Sequence, residues 1–370
     1  MARCINCKKE SKLISEALGI CLDCIRKDYD QVYAQIKSMH NKSRADFGLP
    51  LDPPKARGGV SCSLCLNECV IPKGEKGYCG VRGNRHGRPY GPGEDSAYLT
   101  YYHDPLPTNC VAGWVCPAGT GSGYPKFCHT KSAEVGYKNL AVFYIGCSFN
   151  CLFCQNWQYR YDIKNPPEVT SGELIKAVDH LTSCICYFGG DPTVQLPHSI
   201  EFARLARASK KGDVLRICWE TNGSMNPKLL KEMMDIALTS GGCVKFDLKA
   251  FDENLHIALC GKTNKRTLDN FRLASKYAER RKIPPALVAS TLLIPGYIDR
   301  EEVYKIARFI AELDRDIPYS LLAFGPNFYM RDLPFTSKEH ADECAEAARE
   351  AGLFNVSIGN YHLLGVPYEE

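Results

Sequence analysis

Cysteine spacing constrains this chain more than any other feature of its sequence. The 370 residues include 20 cysteines, and 14 of these fall into four spaced groups. The groups are Cys4, Cys7, Cys21 and Cys24; Cys62, Cys65, Cys69 and Cys79; Cys110, Cys116 and Cys128; and Cys147, Cys151 and Cys154. In a reducing compartment such groups indicate metal sites rather than disulfides. We therefore expect metals to organise part of the fold.

The sequence predicts a cytoplasmic protein in which these thiols stay reduced. The opening residues, MARCINCKKE, lack the apolar core of a secretory signal. The uncharged stretch over residues 283–298 is short and contains three prolines. We expect no membrane span, because a helix needs about 20 apolar residues to cross a bilayer.

Charge and composition divide the chain into a front third and a globular remainder. Residues 1–90 carry 16 basic and 9 acidic side chains, whereas the remainder carries 30 and 33. A hydrophobic content of 45% with 24% charged residues excludes a disordered chain. We predict a zinc-ribbon or rubredoxin-like module with a helix at 1–48, cysteine-rich loops with auxiliary metal sites at 49–136, and a catalytic domain at 137–370. The predicted helix follows from Tyr29, Val32, Tyr33, Ile36 and Met39, which share one face.

From residue 139 onward, apolar runs of strand length alternate with helical patterns. The runs are Leu140–Ile145, Cys184–Phe188, Val214–Trp219, Cys243–Asp247, Ala286–Ile294, Tyr319–Phe324 and Phe354–Ile358. Asn226 is a predicted helix N-cap, a helical apolar stripe follows Asp299, and Thr336 with Glu339 is a predicted capping box. This alternation predicts an α/β fold, a partial (β/α)6 barrel with a cysteine-rich N-terminal extension. Functional groups in such folds lie at the C-terminal ends of the strands.

The last cysteine group directly follows the first strand of this barrel. Cys147, Cys151 and Cys154 have C-x3-C-x2-C spacing, with no fourth cysteine nearby. Three thiolates suit a [4Fe–4S] cluster that keeps one iron free of protein ligands, and an open position is typical of a catalytic metal. The alternative is a zinc knuckle that takes a distant fourth ligand.

This motif, with Phe153 as its aromatic residue, resembles the signature of radical S-adenosylmethionine (SAM) enzymes. The flanking residues 154–157, CQNW, are similar to the radical SAM member of the AmmeMemoRadiSam group, which is related to the pyruvate formate-lyase activating enzymes. The resemblance extends over about residues 60–370. It includes CSLCLNECVIPKGEKGYCGVRGN (62–84), GGDPTVQLPHSIEFA (189–203), ETNG (220–223), DLKAF (247–251), LLIPGYID (292–299) and VSIGN (356–360).

The resemblance implies an enzyme that cleaves SAM. The open iron would bind SAM, an electron would enter from a reductant such as ferredoxin or flavodoxin, and a 5′-deoxyadenosyl radical would abstract hydrogen from a substrate. The implied SAM-binding residues are Phe153, Gly189, Gly190, Asp191, Pro192, Glu220, Asn222, Asp247 and Lys249. The family often has Glu at position 191, so the shorter Asp191 could leave the SAM ammonium to backbone carbonyls. A strand-to-helix turn at 189–192 and a structural Asp247–Lys249 salt bridge are the alternatives.

The front cysteine groups predict further metal sites. The paired C-x2-C motifs at Cys4, Cys7, Cys21 and Cys24 suit structural zinc, with iron as the alternative. Cys62, Cys65, Cys69 and Cys79 could hold either a zinc ion or an auxiliary cluster. Cys110, Cys116 and Cys128 could bind a metal with His129, His103 or a scattered cysteine as fourth ligand. They could equally be buried thiols, as we expect for the strand cysteines 184, 218 and 243.

The substrate stays open between a protein and a small molecule, because fold and cofactor do not fix function. One alternative is a glycyl-radical enzyme activase. Another is an RNA-modifying or RNA-binding iron–sulfur protein, suggested by the basic front third, although dispersed basic residues also suit a solvated surface. A purely structural metal protein, which would not cleave SAM, is the third.

Overall fold

A nine-stranded sheet forms the centre of the computed structural model, which describes residues 1–368. The strands of the chain are β1 (Ala2–Arg3), β2 (Glu10–Ser11), β3 (Val60–Ser61), β4 (Val70–Ile71), β5 (Gly83–Arg85), β6 (Arg88–Tyr90), β7 (Ser96–Pro105), β8 (Lys138–Tyr144), β9 (Glu168–Thr170), β10 (Thr182–Gly189), β11 (Arg216–Thr221), β12 (Val244–Asp247), β13 (Leu287–Leu293), β14 (Tyr319–Ala323) and β15 (Val356–Gly359). The sheet has the order β15-β14-β13-β12-β11-β10-β8-β7-β9. The seven strands from β8 to β15 other than β9 are parallel to one another. The predicted α/β partial barrel is therefore confirmed, with one strand more than six.

The helices are α1 (Leu22–Lys27), α2 (Tyr29–Ala45), α3 (Pro117–Thr120), α4 (Tyr159–Asp162), α5 (Ser171–Leu174), α6 (Leu196–Ser209), α7 (Pro227–Ser240), α8 (Glu253–Cys260), α9 (Lys265–Ala278), α10 (Arg300–Leu313) and α11 (Lys338–Glu350). Those from α6 to α11 follow parallel strands, as the alternation predicts. In α2 the predicted face is buried at Val32, Ile36 and Met39, whereas Tyr33 is exposed. Among residues 1–368 no helix combines the length and apolar character needed to span a membrane.

Two of the three predicted helix starts are correct. The Asn226 side chain accepts from the backbone N–H of Lys228, and the Asp299 side chain accepts from that of Glu302. The capping box at Thr336 is wrong. Ser337 is the N-cap, because the Thr336 hydroxyl is committed to the sheet, where it donates to the Leu293 carbonyl and accepts from the Phe324 N–H.

Strand β7 lies in a region that the sequence predicts as loops. This ten-residue strand pairs antiparallel with β8 on one side and β9 on the other. Residues 100–103 of β7 are exposed, so the strand lacks the alternating pattern by which a half-buried strand is recognised.

The predicted N-terminal module packs directly on the barrel. Ile14, Leu18 and Ile20 share one hydrophobic core with the barrel residues. The Tyr297 hydroxyl accepts from the Ser15 N–H and donates to the Ile20 carbonyl, both at 3.0 Å. The boundaries predicted at residues 48 and 136 stay a prediction.

Residues 106–135, here called the plug segment, cross the end of the barrel at which the parallel strands begin, which is called the lower end below. Glu134 forms a buried ion pair with Arg216 at the start of β11. Trp114 Nε1 donates to Ser320 Oγ on β14 at 2.9 Å, and Ser320 Oγ donates to the Val111 carbonyl at 2.6 Å. The segment thus joins strands on opposite sides of the barrel interior.

Candidate active site

The predicted SAM-pocket residues converge on one cavity of ≈ 280 Å³. The lining residues from the prediction are Cys147, Cys151, Phe153, Cys154, Gly189, Gly190, Asp191, Glu220, Asn222, Asp247 and Lys249. These residues follow the C-terminal ends of β8, β10, β11 and β12, where parallel barrels collect functional groups. Pro192 does not line the cavity and instead starts the buried turn that follows Asp191.

The loop that carries the three thiols is held by backbone contacts on one side. The Asn150 N–H donates to the Cys260 carbonyl, and the Leu152 N–H donates to the Leu259 carbonyl. Asn222 Nδ2 donates to Ser148 Oγ at 2.8 Å and lies 3.7 Å from Cys147 Sγ. The Asn222 amide thus positions the thiol loop, a role that the resemblance did not imply.

The local electrostatics set the condition for metal binding. Burial raises the pKa of the Cys154 thiol to about 11 and that of Cys147 well above its ordinary value. The hydrogen bond with the neighbouring Cys260 thiol, together with burial, raises the pKa of Cys151 well above its ordinary value. The cations Arg160 and Lys249 act in the opposite direction on Cys154. Binding of a metal would therefore release protons here, and the two cations would stabilise the resulting thiolates.

Arg160 is a cavity residue that the sequence analysis missed. It is 2% exposed, its guanidinium donates to Asn150 Oδ1 at 3.0 Å, and its Nε has no hydrogen-bond partner. The sequence does contain a signal for Arg160, because it is the only charged residue between Lys138 and Asp162 and follows the cysteine motif.

The carboxylate of Asp191 accepts hydrogen bonds from other groups of the protein. One carboxylate oxygen accepts from the Thr193 N–H at 2.8 Å, and the other accepts from the Asn222 N–H at 2.6 Å. The Thr221 hydroxyl also donates to this carboxylate. The turn-forming alternative therefore describes the side chain of Asp191.

Two ion pairs stand in the cavity wall. Lys249 pairs with Asp247, and Lys245 Nζ pairs with Glu220 Oε1 at 2.7 Å. Burial favours neutral Lys249, but the adjacent Asp247 carboxylate outweighs it and raises the pKa of Lys249 above its ordinary value. Asp247 Oδ1 is buried without a partner, so this pair forms a salt bridge and still presents an acceptor to the cavity.

These residues fit the cluster and the SAM that the family implies. Three cysteines face the cavity, while Cys260 contacts Cys151 without lining it. The unpartnered atoms, Asp247 Oδ1 and Arg160 Nε, are an acceptor and a donor, as a zwitterionic amino acid group requires.

The first cysteine group forms a compact four-thiol site. The Cys4, Cys7, Cys21 and Cys24 sulfurs all lie within 4.8 Å of one another. Cys4 and Cys24 Sγ are 3.7 Å apart, and Cys7 and Cys21 Sγ are 3.6 Å apart. Tetrahedral zinc with bonds of about 2.3 Å places its sulfurs about 3.8 Å apart. The geometry suits a single ion and does not distinguish zinc from iron.

The second group also converges. Cys62, Cys65, Cys69 and Cys79 line one small cavity together with Tyr78. This cavity lies behind the thiol loop, since Asn67 in its wall donates to the Ser148 carbonyl at 2.8 Å.

The three cysteines of the third group, Cys110, Cys116 and Cys128, do not come together at one site. Cys110 and Cys116 line a cavity beneath the active site, but Cys128 does not. The Cys128 thiol donates to the carbonyl of Gly121 at 3.1 Å and to that of Thr130 at 3.3 Å. The predicted fourth ligands lie elsewhere, because His103 bonds the Ala177 carbonyl and His129 stacks on Tyr137. The strand cysteines 184, 218 and 243 line the same cavity as Cys110 and Cys116. Cys184 and Cys243 are buried in small hydrophobic clusters and Cys218 packs against one of them, as predicted for core residues.

Comparison with known proteins agrees with this geometry. The profile of the Radical SAM superfamily matches residues 141–310. An uncharacterized protein of Methanocaldococcus jannaschii is 26% identical over 317 residues, which cover 81% of this chain and 81% of that protein. A candidate glycyl-radical enzyme activating enzyme of the same organism is 30% identical over 179 residues, 48% of this chain and 64% of the relative. The pyruvate formate-lyase-activating enzyme of Staphylococcus aureus (strain USA300) is 26% identical over 194 residues, 50% of this chain and 73% of the enzyme.

The chain is therefore a radical SAM enzyme. Its similarity to proteins named as activating enzymes supports a family related to the glycyl-radical enzyme activases. The family implies a [4Fe–4S] cluster and SAM as its cofactors.

Proposed function

We propose that the chain cleaves SAM reductively in the cavity of Cys147, Cys151 and Cys154, and that the resulting 5′-deoxyadenosyl radical abstracts hydrogen from a substrate. The observation that carries this proposal is the convergence of these three thiols, alone among the described cysteines, on that cavity. A [4Fe–4S] cluster bound there would supply the single electron that the sulfonium needs. A ferredoxin or flavodoxin is the proposed electron source.

The roles of the chain's own residues follow from their contacts. Asn222 and Asn67 hold the thiol loop through Ser148. Arg160 and Lys249 offset the negative charge of the thiolates, because charges of opposite sign attract strongly in a buried site. Asp247 Oδ1 and the carbonyls near Gly190 are the proposed acceptors for the SAM amino group, and Arg160 is the proposed donor to its carboxylate.

The central test is product formation by anaerobically reconstituted protein. With SAM and dithionite it should release 5′-deoxyadenosine and methionine, measured by chromatography. Cys151→Ala should abolish both products. Cys344→Ala removes a buried thiol from α11 and should leave them unchanged. SAM cleavage by the Cys151→Ala variant would contradict the site assignment.

A glycyl-radical enzyme activase is the second candidate, and the names of two relatives favour it. Its substrate would be a backbone glycine in a protein loop. The test incubates the reconstituted enzyme with SAM, reductant and a glycyl-radical enzyme from the same genome. An organic radical in the electron paramagnetic resonance (EPR) spectrum of the partner would support the activase. SAM cleavage with no radical on any such partner would favour another substrate.

A further inference from the structure

Six cysteines line a second cavity, which lies beneath the active site. The cavity has a volume of ≈ 140 Å³. Its cysteines are Cys110, Cys116, Cys184, Cys186, Cys218 and Cys243. It shares Phe188, Glu220 and Lys245 with the SAM cavity, so the two are separated only by these side chains.

Three of these cysteines form a row across adjacent parallel strands. Cys186 on β10 is the register partner of Cys218 on β11. Glu220 on β11 is the partner of Lys245 on β12, which places Cys218 beside Cys243 two residues earlier. Register partners in a sheet point to the same face, and neighbouring strands lie about 4.8 Å apart. The barrel therefore presents a row of three thiols to its interior.

The plug segment places a fourth thiol against this row. Lys245 Nζ lies 3.1 Å from Cys110 Sγ and 3.2 Å from Cys186 Sγ, so a single ammonium joins the two sulfurs. Cys110 and Cys218 also pack against Cys243 in one small cluster. The four sulfurs thus come from β10, β11, the start of β12 and the plug.

A lysine among thiols is not apolar packing. Lys245 is 2% exposed, and its ammonium pairs with Glu220 at 2.7 Å while it also contacts the sulfurs of Cys110 and Cys186. Once a metal displaces their protons, charge-assisted hydrogen bonds from this ammonium would stabilise the two thiolates. Soft thiolate donors select zinc, copper(I) and iron–sulfur clusters among biological metals.

The spacing favours a cluster over a single ion. Among residues 1–368, only the front-end four-thiol group has all its ligand atoms within 4.8 Å. No three of the barrel thiols in the described part of the chain have sulfurs within 4.8 Å of one another, and the same holds for Cys147, Cys151 and Cys154. Several metal atoms bridged by sulfide can connect thiolates that are too far apart for one tetrahedral ion.

We propose that Cys110, Cys186, Cys218 and Cys243 bind a second iron–sulfur cluster inside the barrel, next to the SAM cavity. Lys245 hydrogen-bonds two of its ligands, and hydrogen bonds to the sulfurs tune the reduction potential of such clusters. The enzyme would then hold a second redox centre below its substrate space. This site does not depend on SAM cleavage.

The test starts from a background variant that carries Cys147→Ala, Cys151→Ala and Cys154→Ala. Iron and acid-labile sulfide per chain are measured after anaerobic reconstitution, and EPR spectra are recorded after dithionite reduction. Adding Cys186→Ala and Cys218→Ala should remove at least the two irons and two sulfides of a [2Fe–2S] cluster. The matched control adds Cys184→Ala on the same strand, where the thiol donates to Asn139 Oδ1. This control substitution should cause no loss of iron or sulfide.

Unchanged iron and sulfide after the Cys186 and Cys218 substitutions would overturn the proposal, as would the loss of zinc instead of iron. Circular dichroism reports whether the double substitution disturbs the sheet. If the double substitution does disturb the sheet, Cys110→Ala provides an independent test, because Cys110 lies on the plug segment and outside the strands. It should cause the same loss of iron and sulfide, and full retention by this folded variant would overturn the proposal.

Discussion

Asp191 connects two of the motifs that define the active site. Its carboxylate accepts from backbone N–H groups in its own motif and in the 220–223 motif, at Thr193 and Asn222. Because Asn222 in turn holds Ser148 of the thiol loop, the carboxylate positions three segments at once. We therefore regard Asp191 as a positioning residue.

Asp191→Ala should destabilise the protein by about 1–3 kcal/mol, because two buried N–H donors lose their acceptor. Urea unfolding measures the free energy of unfolding, and calorimetry measures SAM binding. Asp252→Ala is the matched control, since it removes an N-cap acceptor outside the cavity and should leave SAM affinity unchanged. A loss of SAM binding at unchanged stability would mean that Asp191 contacts SAM directly.

Asp247 combines a salt bridge with a free acceptor. Asp247→Asn keeps the shape of the side chain but removes its charge, so SAM should bind at least tenfold more weakly, about 1.4 kcal/mol. Equilibrium dialysis with labelled SAM measures this change. Asp179→Asn breaks a comparable pair with Lys138 outside the cavity and should not alter binding. Equal SAM affinity in Asp247→Asn and the wild type would leave the pair a purely structural role.

The N-terminal elements that precede the barrel contribute to its stability. Arg26 in α1 makes a two-pronged contact with Asp299, at 2.8 and 2.9 Å, and also reaches the buried Glu302 of α10. Together with the Tyr297 contacts, this ties the front-end metal site to the start of α10. The metal site and the barrel should therefore unfold together.

Cys7→Ser tests this coupling with little loss of packing, because Cys7 is exposed. The variant should lose one metal ion per chain and unfold several degrees lower, in a single transition, since metal binding contributes directly to folding. Metal analysis and differential scanning calorimetry measure these effects. Glu10→Ala in the same hairpin is the control and should change neither. A separate low-temperature transition would instead indicate an independently folding module.

The strands and helices could be predicted from the sequence where burial leaves a recognisable pattern of apolar residues. The seven parallel strands were found because both faces of such strands are buried and read as apolar runs. Strand β7 was missed because residues 100–103 are exposed, and only its pairing with β8 shows that it is a strand. The same limit applies to Thr336, whose sequence context fits a cap although its hydroxyl bonds the sheet.

At the scale of the whole molecule, part of the positive charge of the front third is an internal interface. Arg26 faces acidic residues of α10, and Arg44 is 1% exposed. Arg3, Lys9 and Lys37 lie near acidic side chains of the same region. Part of the positive charge of residues 1–90 is therefore buried or paired with acidic side chains, and these groups are not available to bind RNA.

Three buried histidines make stability depend on pH. Burial lowers the pKa of His40, His198 and His256 to about 4, from an ordinary value of 6.5. The unfolded chain therefore binds more protons between these values, so stability is full above pH 6.5 and is lost as the pH falls toward 4.

Between pH 7 and pH 5 each histidine should reduce the free energy of unfolding by about 2 kcal/mol. Urea titrations at the two pH values measure this loss. His40→Gln can keep the contacts with Ala258 and Asn150 and should flatten the pH dependence by about one third of the total. Equal slopes for His40→Gln and the wild type would contradict the assignment of a neutral buried His40.

The sequence by itself determined the α/β barrel, the three-thiol motif and the four-thiol front site. Each of these is written in local spacing, because burial imposes a period and metal geometry imposes short intervals between ligands. Only the tertiary structure decided that Cys128 departs from Cys110 and Cys116, and that Cys186, Cys218 and Cys243 replace it. Those thiols lie on strands far apart along the chain, and sheet register alone places them side by side. The commitment of Asp191 to backbone donors and the burial of Arg160 have the same origin, since partners from distant segments decide the role of a polar side chain.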